Sequence, residues 1–239
     1  MNIKDYNKRF GINKYSRKPT DRHLRAFSQV ADIRKFEIDM YWKRASYFWT
    51  IIAVTFTGFF ALSATNDFPY KNISLLLLSS MGMVFTFSWF LVNRGSKYWQ
   101  ENWENHLDLM EDQVTGPLYK TVLERPTKDE LKSIKTDGNE PKVDKIDKYF
   151  TGPEKFSVSK INQWVALYTL TIWFILLCTV LLQILKLFQE NSAGFEVIIC
   201  VIILFLSALT LYLMLTKGNS YEEDQYSAVR KRKSYLIKN

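Results

Sequence analysis

Four long stretches of the chain contain no Asp, Glu, Lys or Arg. They run over residues 45–66, 72–93, 161–185 and 197–216, and they hold 22, 22, 25 and 20 residues. About 20 helical residues cross a hydrocarbon core of roughly 30 Å, because each residue adds about 1.5 Å. Buried helices of a soluble core usually carry a charged stripe, and these stretches carry none. The pattern therefore predicts an all-α membrane protein with four transmembrane helices.

The lengths of the connections predict how the four spans pair. Residues 67–71 and 186–196 are too few to form domains, so spans one and two form one hairpin and spans three and four form another. Apolar residues recur every three or four positions from Leu24 to Met40, which predicts a helix that continues into span one. The predicted segments are a basic cytoplasmic segment and helix at 1–44, a first hairpin at 45–93, a cytoplasmic helical linker at 94–160, a second hairpin at 161–216 and a cytoplasmic tail at 217–239.

The positions of the basic residues predict the orientation in the membrane. Of the 32 Lys and Arg residues, only Lys71 and Lys186 fall in the two short turns. By the positive-inside rule, both termini and the middle segment then face the cytoplasm. The chain opens with a charged segment instead of a cleavable signal peptide, so span one itself would act as the insertion signal.

Turn and capping residues predict where the helices begin and end. Residues 1–20 are basic and look irregular, and Thr20 or Asp21 is expected to cap the helix that enters span one. Gly116 and Pro117 are expected to end or kink the helix that leaves span two. The further expectations are a short helix at 128–135, a loop at 136–153, and a cap at Ser157 or Ser159 before span three.

Reactive side chains are too sparse to predict an enzyme, a cofactor or a metal site. His23 and His106 are the two histidines, and the two cysteines, Cys178 and Cys200, both lie within spans. We expect the histidines to lie on the surface or at an interface. The sequence has no Gly-rich phosphate loop and no nucleophile motif. The spans also lack the ionisable residues that mark proton-coupled pumps.

Polar uncharged residues inside the spans predict helix contacts and one pore face. The hydroxyl and glycine residues of spans one and two are typical of membrane helices that approach closely. In span three, Thr179, Gln183 and Lys186 fall near one face and are candidates for lining a water-filled path. Four spans can hardly enclose a pore, so this interpretation requires a homo-oligomer. Span four is almost wholly aliphatic and could face lipid or form a hydrophobic gate.

The N-terminal segment combines basic residues with the aromatic residues Tyr6, Phe10 and Tyr15. Basic side chains beside a membrane are first of all topology determinants and contacts for anionic lipid. The alternative is a polyanion site, in which the basic groups neutralise phosphates while the rings stack on bases. The polyanion-binding candidates are Lys4, Lys8, Arg9, Lys14, Arg17 and Lys18.

The helix that leaves span two carries four candidates for coupling a cytoplasmic ligand to the spans. Trp99 and Trp103 share one face, where we expect them to pack against the helix that enters span one or against a neighbouring subunit. Arg94 and Lys97 are expected at headgroup level, with Lys97 paired to Glu101 one turn later. The helix would act either as a lever or as a rigid joint that sets the geometry of assembly.

Three sequence blocks around spans one and two carry a resemblance to a known family. They are DMYWKRASYFW at 39–49, NRGSKYWQENWE at 93–104 and TGPLYK at 115–120. Over about residues 35–120, the chain resembles the RipA-type family of octameric bacterial inner-membrane proteins. The resemblance implies a homo-oligomer in the bacterial cytoplasmic membrane and defines no catalytic residue.

The architecture also resembles that of membrane effectors of anti-phage systems, such as the HalA component of Hailong. There, an oligonucleotide made by a partner nucleotidyltransferase holds a channel-like effector in check. The comparison implies a single-stranded oligonucleotide or nucleotide ligand from a partner enzyme. The leading hypothesis is a ligand- or partner-gated pore, and a role as an anti-phage defence effector is an extension of that hypothesis. The alternative is a non-conducting membrane scaffold that organises partner proteins or lipids.

Overall fold

The structure is a computed structural model that describes residues 3–13, 15, 18–123, 156–190, 194–218 and 235–237. The expected short helix at 128–135 and loop at 136–153 lie outside the described residues. The helices are α1 (Ile3–Phe10), α2 (Asp21–Ala64), α3 (Lys71–Met110), α4 (Val158–Glu190) and α5 (Gly194–Lys217), and the strands are β1 (Thr121–Leu123) and β2 (Tyr235–Ile237). The two strands pair in parallel, with Thr121 opposite Tyr235.

Helices α2 to α5 are each long and apolar enough to cross a membrane. They contain the four charge-free stretches in order, except that residues 65 and 66 follow the end of α2, so the predicted four spans and the all-α class are confirmed. At about 1.5 Å per residue, the 44 residues of α2 reach about 66 Å and the 40 residues of α3 about 60 Å. Both lengths exceed a hydrocarbon core of roughly 30 Å, because polar turns continue each helix beyond its apolar stretch.

Local hydrogen bonds and backbone geometry set two helix starts. The Thr20 hydroxyl accepts the His23 N–H at 3.2 Å and donates to the Gly11 carbonyl at 2.9 Å, so Thr20 caps α2. Gly11 has a φ of 70°, which suits the residue after α1, and a side chain there would collide with the Thr20 hydroxyl. Helix α4 begins at Val158, so Ser157 stands at the position predicted for its cap.

The N-terminal segment departs from the irregular structure that we predict from the sequence. Residues 3–10 form helix α1. Tyr6 and Phe10 lie one turn apart and pack into an apolar cluster with Leu107 and Met110 of α3. So short a helix is marginal by itself in water, and tertiary packing of its apolar face stabilises it.

Helix α3 ends earlier than predicted. It stops at Met110 and closes in a single 3₁₀ turn, whereas the sequence predicts an end at 116–117. The reason is the Glu111 carboxylate, which accepts the backbone N–H groups of Tyr119 and Lys120, the latter at 3.1 Å. These bonds require the chain to fold back after Met110 instead of continuing the helix.

The chain divides into two compact units. The terminal unit comprises Met1–Ala31, Trp103–Ser157 and Ala228–Asn239, and the spanning unit comprises Asp32–Asn102 and Val158–Ser227. The boundaries fall inside α2 and α3, so both long helices contribute residues to both units. Each unit has its own buried apolar cluster.

Trp173 of α4 occupies the centre of the spanning unit. It is fully buried, stacks on Phe56 with 4.0 Å between ring centroids, and meets Phe59 edge-on at 6.0 Å. Gly82 of α3 lies against the same ring, and a Cβ atom there would overlap it. Helices α2, α3 and α4 therefore interlock around one indole ring, and the absence of a side chain at residue 82 makes the contact feasible.

Candidate functional site

A tyrosine–histidine hydrogen bond attaches α1 to α3 within the terminal unit. The Tyr6 hydroxyl lies 2.7 Å from Nδ1 of His106. The Tyr6 ring centroid is 4.5 Å from that of Phe10, and the Trp103 ring centroid is 5.5 Å from that of His106. Ring packing and one polar bond together determine which face of α1 is turned inward.

The other side of α1 is basic and exposed. Tyr6 and Phe10 face the cluster, whereas Lys4, Lys8 and Arg9 are exposed. Three cationic side chains within six residues form a compact positive surface, which we call the α1 basic face. The remaining polyanion-binding candidates are Lys18, which is exposed, and Lys14 and Arg17, which lie outside the described residues.

The aromatic residues near this basic face do not all serve the predicted role. Tyr6 is 4% exposed, so its ring is used in packing and the prediction that it stacks on bases is wrong. Phe10 is half-buried in the same cluster. Tyr15 is 100% exposed and is, of the three rings, the one open to a ligand. The physical reason is that burying Tyr6 and Phe10 stabilises α1.

His23 belongs to the interior of the terminal unit, which corrects the expectation that it lies on the surface or at an interface. His23 is 0% exposed, and its Nε2 donates to the Met110 carbonyl at 2.7 Å. A carbonyl only accepts, so Nε2 carries the proton and satisfies one of the free carbonyls at the end of α3. His106 is half-buried beside Tyr6. Among the described residues, no group of three or more His, Cys, Asp or Glu side chains is placed to hold a metal ion.

Burial lowers the pKa of His106 below its ordinary value of 6.5. The folded terminal unit therefore favours the neutral ring, and this contribution to stability is complete above pH 6.5 and is lost as the pH falls through the lower folded-state pKa. We expect the protein in detergent to melt at a lower temperature at about pH 5.5 than at about pH 7.5, as followed by tryptophan fluorescence. The difference should shrink in His106→Gln, which cannot titrate. A pH dependence of the same size in that variant would contradict the assignment.

A buried carboxylate organises the loop after α3. Glu111 is 0% exposed, and its Oε1 lies 3.8 Å from Nζ of Lys120, whose side chain is 8% exposed. Burial raises the pKa of Glu111, while the Tyr119 N–H and the Lys120 ammonium oppose that rise. Asp112 is a second partner of Lys120, at 2.5 Å. The loop that leads into β1 is thus attached to the end of α3 by one buried ion pair and two backbone hydrogen bonds.

Two of the four coupling candidates are charged and lie on α3 just beyond the apolar stretch. The Arg94 guanidinium lies 5.7 Å from the centre of the Phe90 ring, a cation–π distance. Lys97 lies 3.6 Å from Glu101, which confirms the predicted pair one turn apart. Exposed pairs of this kind contribute little to stability, so Arg94 and Lys97 do little to fix the position of α3.

The other two coupling candidates belong to different units. Trp103 packs on the terminal cluster, which also includes Phe27 and Val30 of α2. That placement agrees with the predicted packing toward the helix that enters span one. Trp99 is half-buried and belongs to the spanning unit. The two indoles therefore share a helix but not a cluster.

The predicted pore face of α4 is uncovered in the single chain. Thr179, Gln183 and Lys186 are all exposed, while Trp173 on the other side of the helix is fully buried. The Thr179 hydroxyl donates to the Leu176 carbonyl at 2.7 Å, so its proton is already used within the helix. Gln183 is exposed, so its amide group can meet a neighbour or water.

The inward side of α3 is polar, a feature that the sequence interpretation missed. Ser79, Thr86 and Asn93 are 0%, 0% and 1% exposed and recur every seven residues, or about two helical turns. We refer to these three residues with Ser80 as the polar stripe. When the hydroxyl groups of span two are interpreted only as helix contacts, this buried polar side of α3 is overlooked. The seven-residue spacing is the signal that could locate it.

Four spanning helices, a core interlocked around a tryptophan and an uncovered polar face define a polytopic α-helical membrane protein. Residues 24–183 match the octameric membrane protein family (8xMP). The match covers more than half of the 239 residues, so the chain belongs to this family. The expected membership of an octameric membrane protein family is confirmed, and the protein is a homo-oligomeric membrane protein. No curated protein and no solved structure matches the chain.

Proposed function

We propose that the protein is a homo-oligomeric pore of the bacterial inner membrane whose opening is controlled by a ligand or partner on the cytoplasmic side. The observation that carries this proposal is the uncovered face of α4 with Thr179, Gln183 and Lys186. Polar side chains on a spanning helix usually face protein or a water-filled cavity rather than lipid. Membership of an octameric family supplies the neighbouring copies that would share such a face.

The ligand that we propose is a polyanion, in the form of a single-stranded oligonucleotide or a nucleotide made by a partner enzyme. The α1 basic face supplies Lys4, Lys8 and Arg9, and Tyr15 supplies one exposed ring for base stacking. Several copies of this face in one oligomer would add their positive potentials and attract phosphate. Anionic membrane lipid competes for the same charges. Release of such a pore on infection would make the protein an anti-phage defence effector.

The continuity of α3 supports a coupling role for its middle section. The helix runs without interruption from Lys71 to Met110, so Arg94, Lys97 and Trp103 belong to the same helix as span two. Because α1 docks on the last turns of this helix, a ligand that displaced α1 would change the packing around its end.

The test is the conductance of the purified oligomer in a planar bilayer, before and after short single-stranded oligonucleotides are added to the side that holds the termini. We expect discrete currents that the oligonucleotide suppresses or triggers. In Lys4→Gln/Lys8→Gln, the oligonucleotide concentration for half-maximal effect should rise on the order of tenfold, because two phosphate contacts are lost. The matched control, Lys35→Gln/Lys43→Gln, removes the same charge from α2 and should behave like the wild type.

Substitutions on the predicted pore face of α4 test the conduction path independently of the ligand site. Gln183→Leu and Thr179→Val should change the single-channel conductance without shifting the oligonucleotide concentration. Thr210→Val on α5 is the control, since that exposed hydroxyl likewise donates to a carbonyl of its own helix. Unchanged currents in Gln183→Leu and Thr179→Val would show that this face does not line the path.

Two observations favour the alternative of a non-conducting scaffold. The Thr179 hydroxyl is satisfied by its own helix, and α5 is exposed along nearly its whole length, as expected for a helix that faces lipid or neighbouring copies. A correctly inserted oligomer that stays electrically silent with and without oligonucleotide would select the scaffold. A partner protein or a defined lipid that co-purifies with it would then identify what it organises.

A further inference from the structure

The interior of the spanning unit contains a row of hydrogen-bond donors without acceptors. They are the hydroxyl groups of Ser80 and Thr86, the indole N–H groups of Trp89 and Trp173, and the Asn93 amide. Each of these residues is between 0% and 3% exposed. None of the five groups has a hydrogen-bond partner within the described part of the chain. Burying a donor without an acceptor is unfavourable, and in a membrane protein no lipid tail can relieve it.

Other hydroxyl groups of the same helix are satisfied locally. Ser79 donates to the Leu76 carbonyl at 3.0 Å, and Ser88 donates to the Val84 carbonyl at 2.7 Å. The neighbouring Ser80 hydroxyl, by contrast, has no partner among the described residues. The same local bonding recurs on α2, α4 and α5. Among the buried hydroxyl, indole and amide N–H groups of the described residues, those without a partner lie on α3 and on Trp173.

The two ends of this row differ in polarity. At one end, Arg44 donates to the Ser96 hydroxyl at 3.0 Å, and the Arg44 side chain is 39% exposed, so bulk water reaches this point. At the other end, Leu75 and Leu76 are 4% and 0% exposed and pack in an apolar cluster with Phe59. From Ser80 to Asn93 the row covers 13 residue steps, or about 20 Å, of the roughly 30 Å core.

We propose that each protomer binds a row of water molecules along the inward side of α3. The water is held by Thr86, Asn93 and the two indole N–H groups, enters at the Arg44–Ser96 end, and is stopped by Leu75 and Leu76. Water is the smallest acceptor that can satisfy these donors, and buried water typically bonds polar groups that protein atoms leave unpaired. The absence of charged side chains along the span favours a neutral acceptor over an ion.

The row has a direct consequence for the membrane. It brings solvent from one side across much of the apolar core inside a single protomer, and the Leu75–Leu76 contact is the remaining barrier. This location is separate from the exposed face of α4. A hydrated interior and a pore between protomers can therefore be tested independently.

Hydroxyl-radical footprinting of the intact wild-type oligomer tests the inference, because radiolysis of bound water modifies the side chains next to it. We expect Trp173 to be modified several-fold faster than Met110, an equally buried and readily oxidised residue in the apolar cluster of the terminal unit. Label from water enriched in oxygen-18 should appear on Trp173. Equal protection of Trp173 and Met110 would show that the interior is dry and would overturn the inference.

Two substitutions give a second test, in which the expected change in melting temperature differs between a hydrated and a dry interior. If water is bound, Thr86→Val removes one of its partners, so both the melting temperature and the Trp173 label should fall. If the interior is dry, Thr86→Val removes an unsatisfied hydroxyl, and the melting temperature should stay the same or rise. Ser88→Ala, whose hydroxyl is bonded within α3, is the control and should leave the Trp173 label unchanged.

The outcomes do not depend on the proposed pore. An electrically silent oligomer with a labelled Trp173 would retain the water row and reject conduction. A conducting oligomer with a protected Trp173 would retain the pore and reject the water row.

Discussion

Gly82→Ala is expected to destabilise the spanning unit by about 1–3 kcal/mol, because the new methyl group would overlap the Trp173 ring. The ring cannot easily move away, since it is fully buried and stacks on Phe56 with 4.0 Å between ring centroids. Alanine gains up to about 1 kcal/mol over glycine in a helix, which does not offset an overlap of this kind. Larger side chains at residue 82 should prevent α3 and α4 from packing and so abolish assembly.

Gly95→Ala is the matched control on the same helix. No atom lies within 4 Å of a Cβ built at Gly95, so helix propensity alone should raise stability by about 0.5–1 kcal/mol. The measurement is the melting temperature of the oligomer in detergent, followed by tryptophan fluorescence and size-exclusion chromatography. If the two alanine variants shifted the melting temperature equally and in the same direction, the interlock around Trp173 would be refuted.

Glu111→Ala should have the largest effect in the terminal unit. It removes the acceptor of two backbone N–H groups and the buried partner of Lys120. Removing one partner of a buried ion pair typically lowers the free energy of unfolding by about 3–5 kcal/mol. The lower end of that range applies here because Asp112 still contacts Lys120. We expect the backbone amides around Tyr119 and β1 to lose their protection from hydrogen exchange, since the bonds that fold the chain back after α3 are gone.

Asp112→Ala provides the comparison for that substitution. Asp112 contacts the same ammonium at 2.5 Å, but its side chain is 66% exposed. Asp112→Ala should therefore lower the free energy of unfolding by much less than Glu111→Ala does. Hydrogen exchange of residues 114–123 separates the two variants, with fast exchange expected in Glu111→Ala alone. Similar exchange in both would show that the buried carboxylate does not hold this loop.

Sequence reasoning located the elements whose signal is local. A charge-free stretch of about 20 residues predicts a span wherever it occurs, because the cost of burying a charge in lipid does not depend on distant residues. The Thr20 cap and the Lys97–Glu101 pair are likewise interactions within a few residues, and both are present. Membership of the octameric family is shown by a match over residues 24–183, a range that includes the blocks at 39–49, 93–104 and 115–120.

The candidate sites were predictable only in part. The basic character of α1 and the outward position of Gln183 follow from charge and helical spacing, and both residue sets are exposed. The buried position of Tyr6 could not be predicted, because its partner His106 is 100 residues away. The same holds for His23, whose acceptor is the Met110 carbonyl. Spacing within one segment carries no information on such contacts.

The sequence by itself determined that this is a four-span helical membrane protein with basic extensions, because hydrophobicity and charge act residue by residue. Only the tertiary structure decided which side of each helix is inward. It placed Trp173 against Gly82, used Tyr6 as a packing residue, and buried the Thr86 hydroxyl and the Asn93 amide nitrogen with no hydrogen-bond partner in the described part of the chain. The physical reason is that burial and hydrogen bonding depend on which helices meet, and a neighbouring helix is invisible to the local pattern.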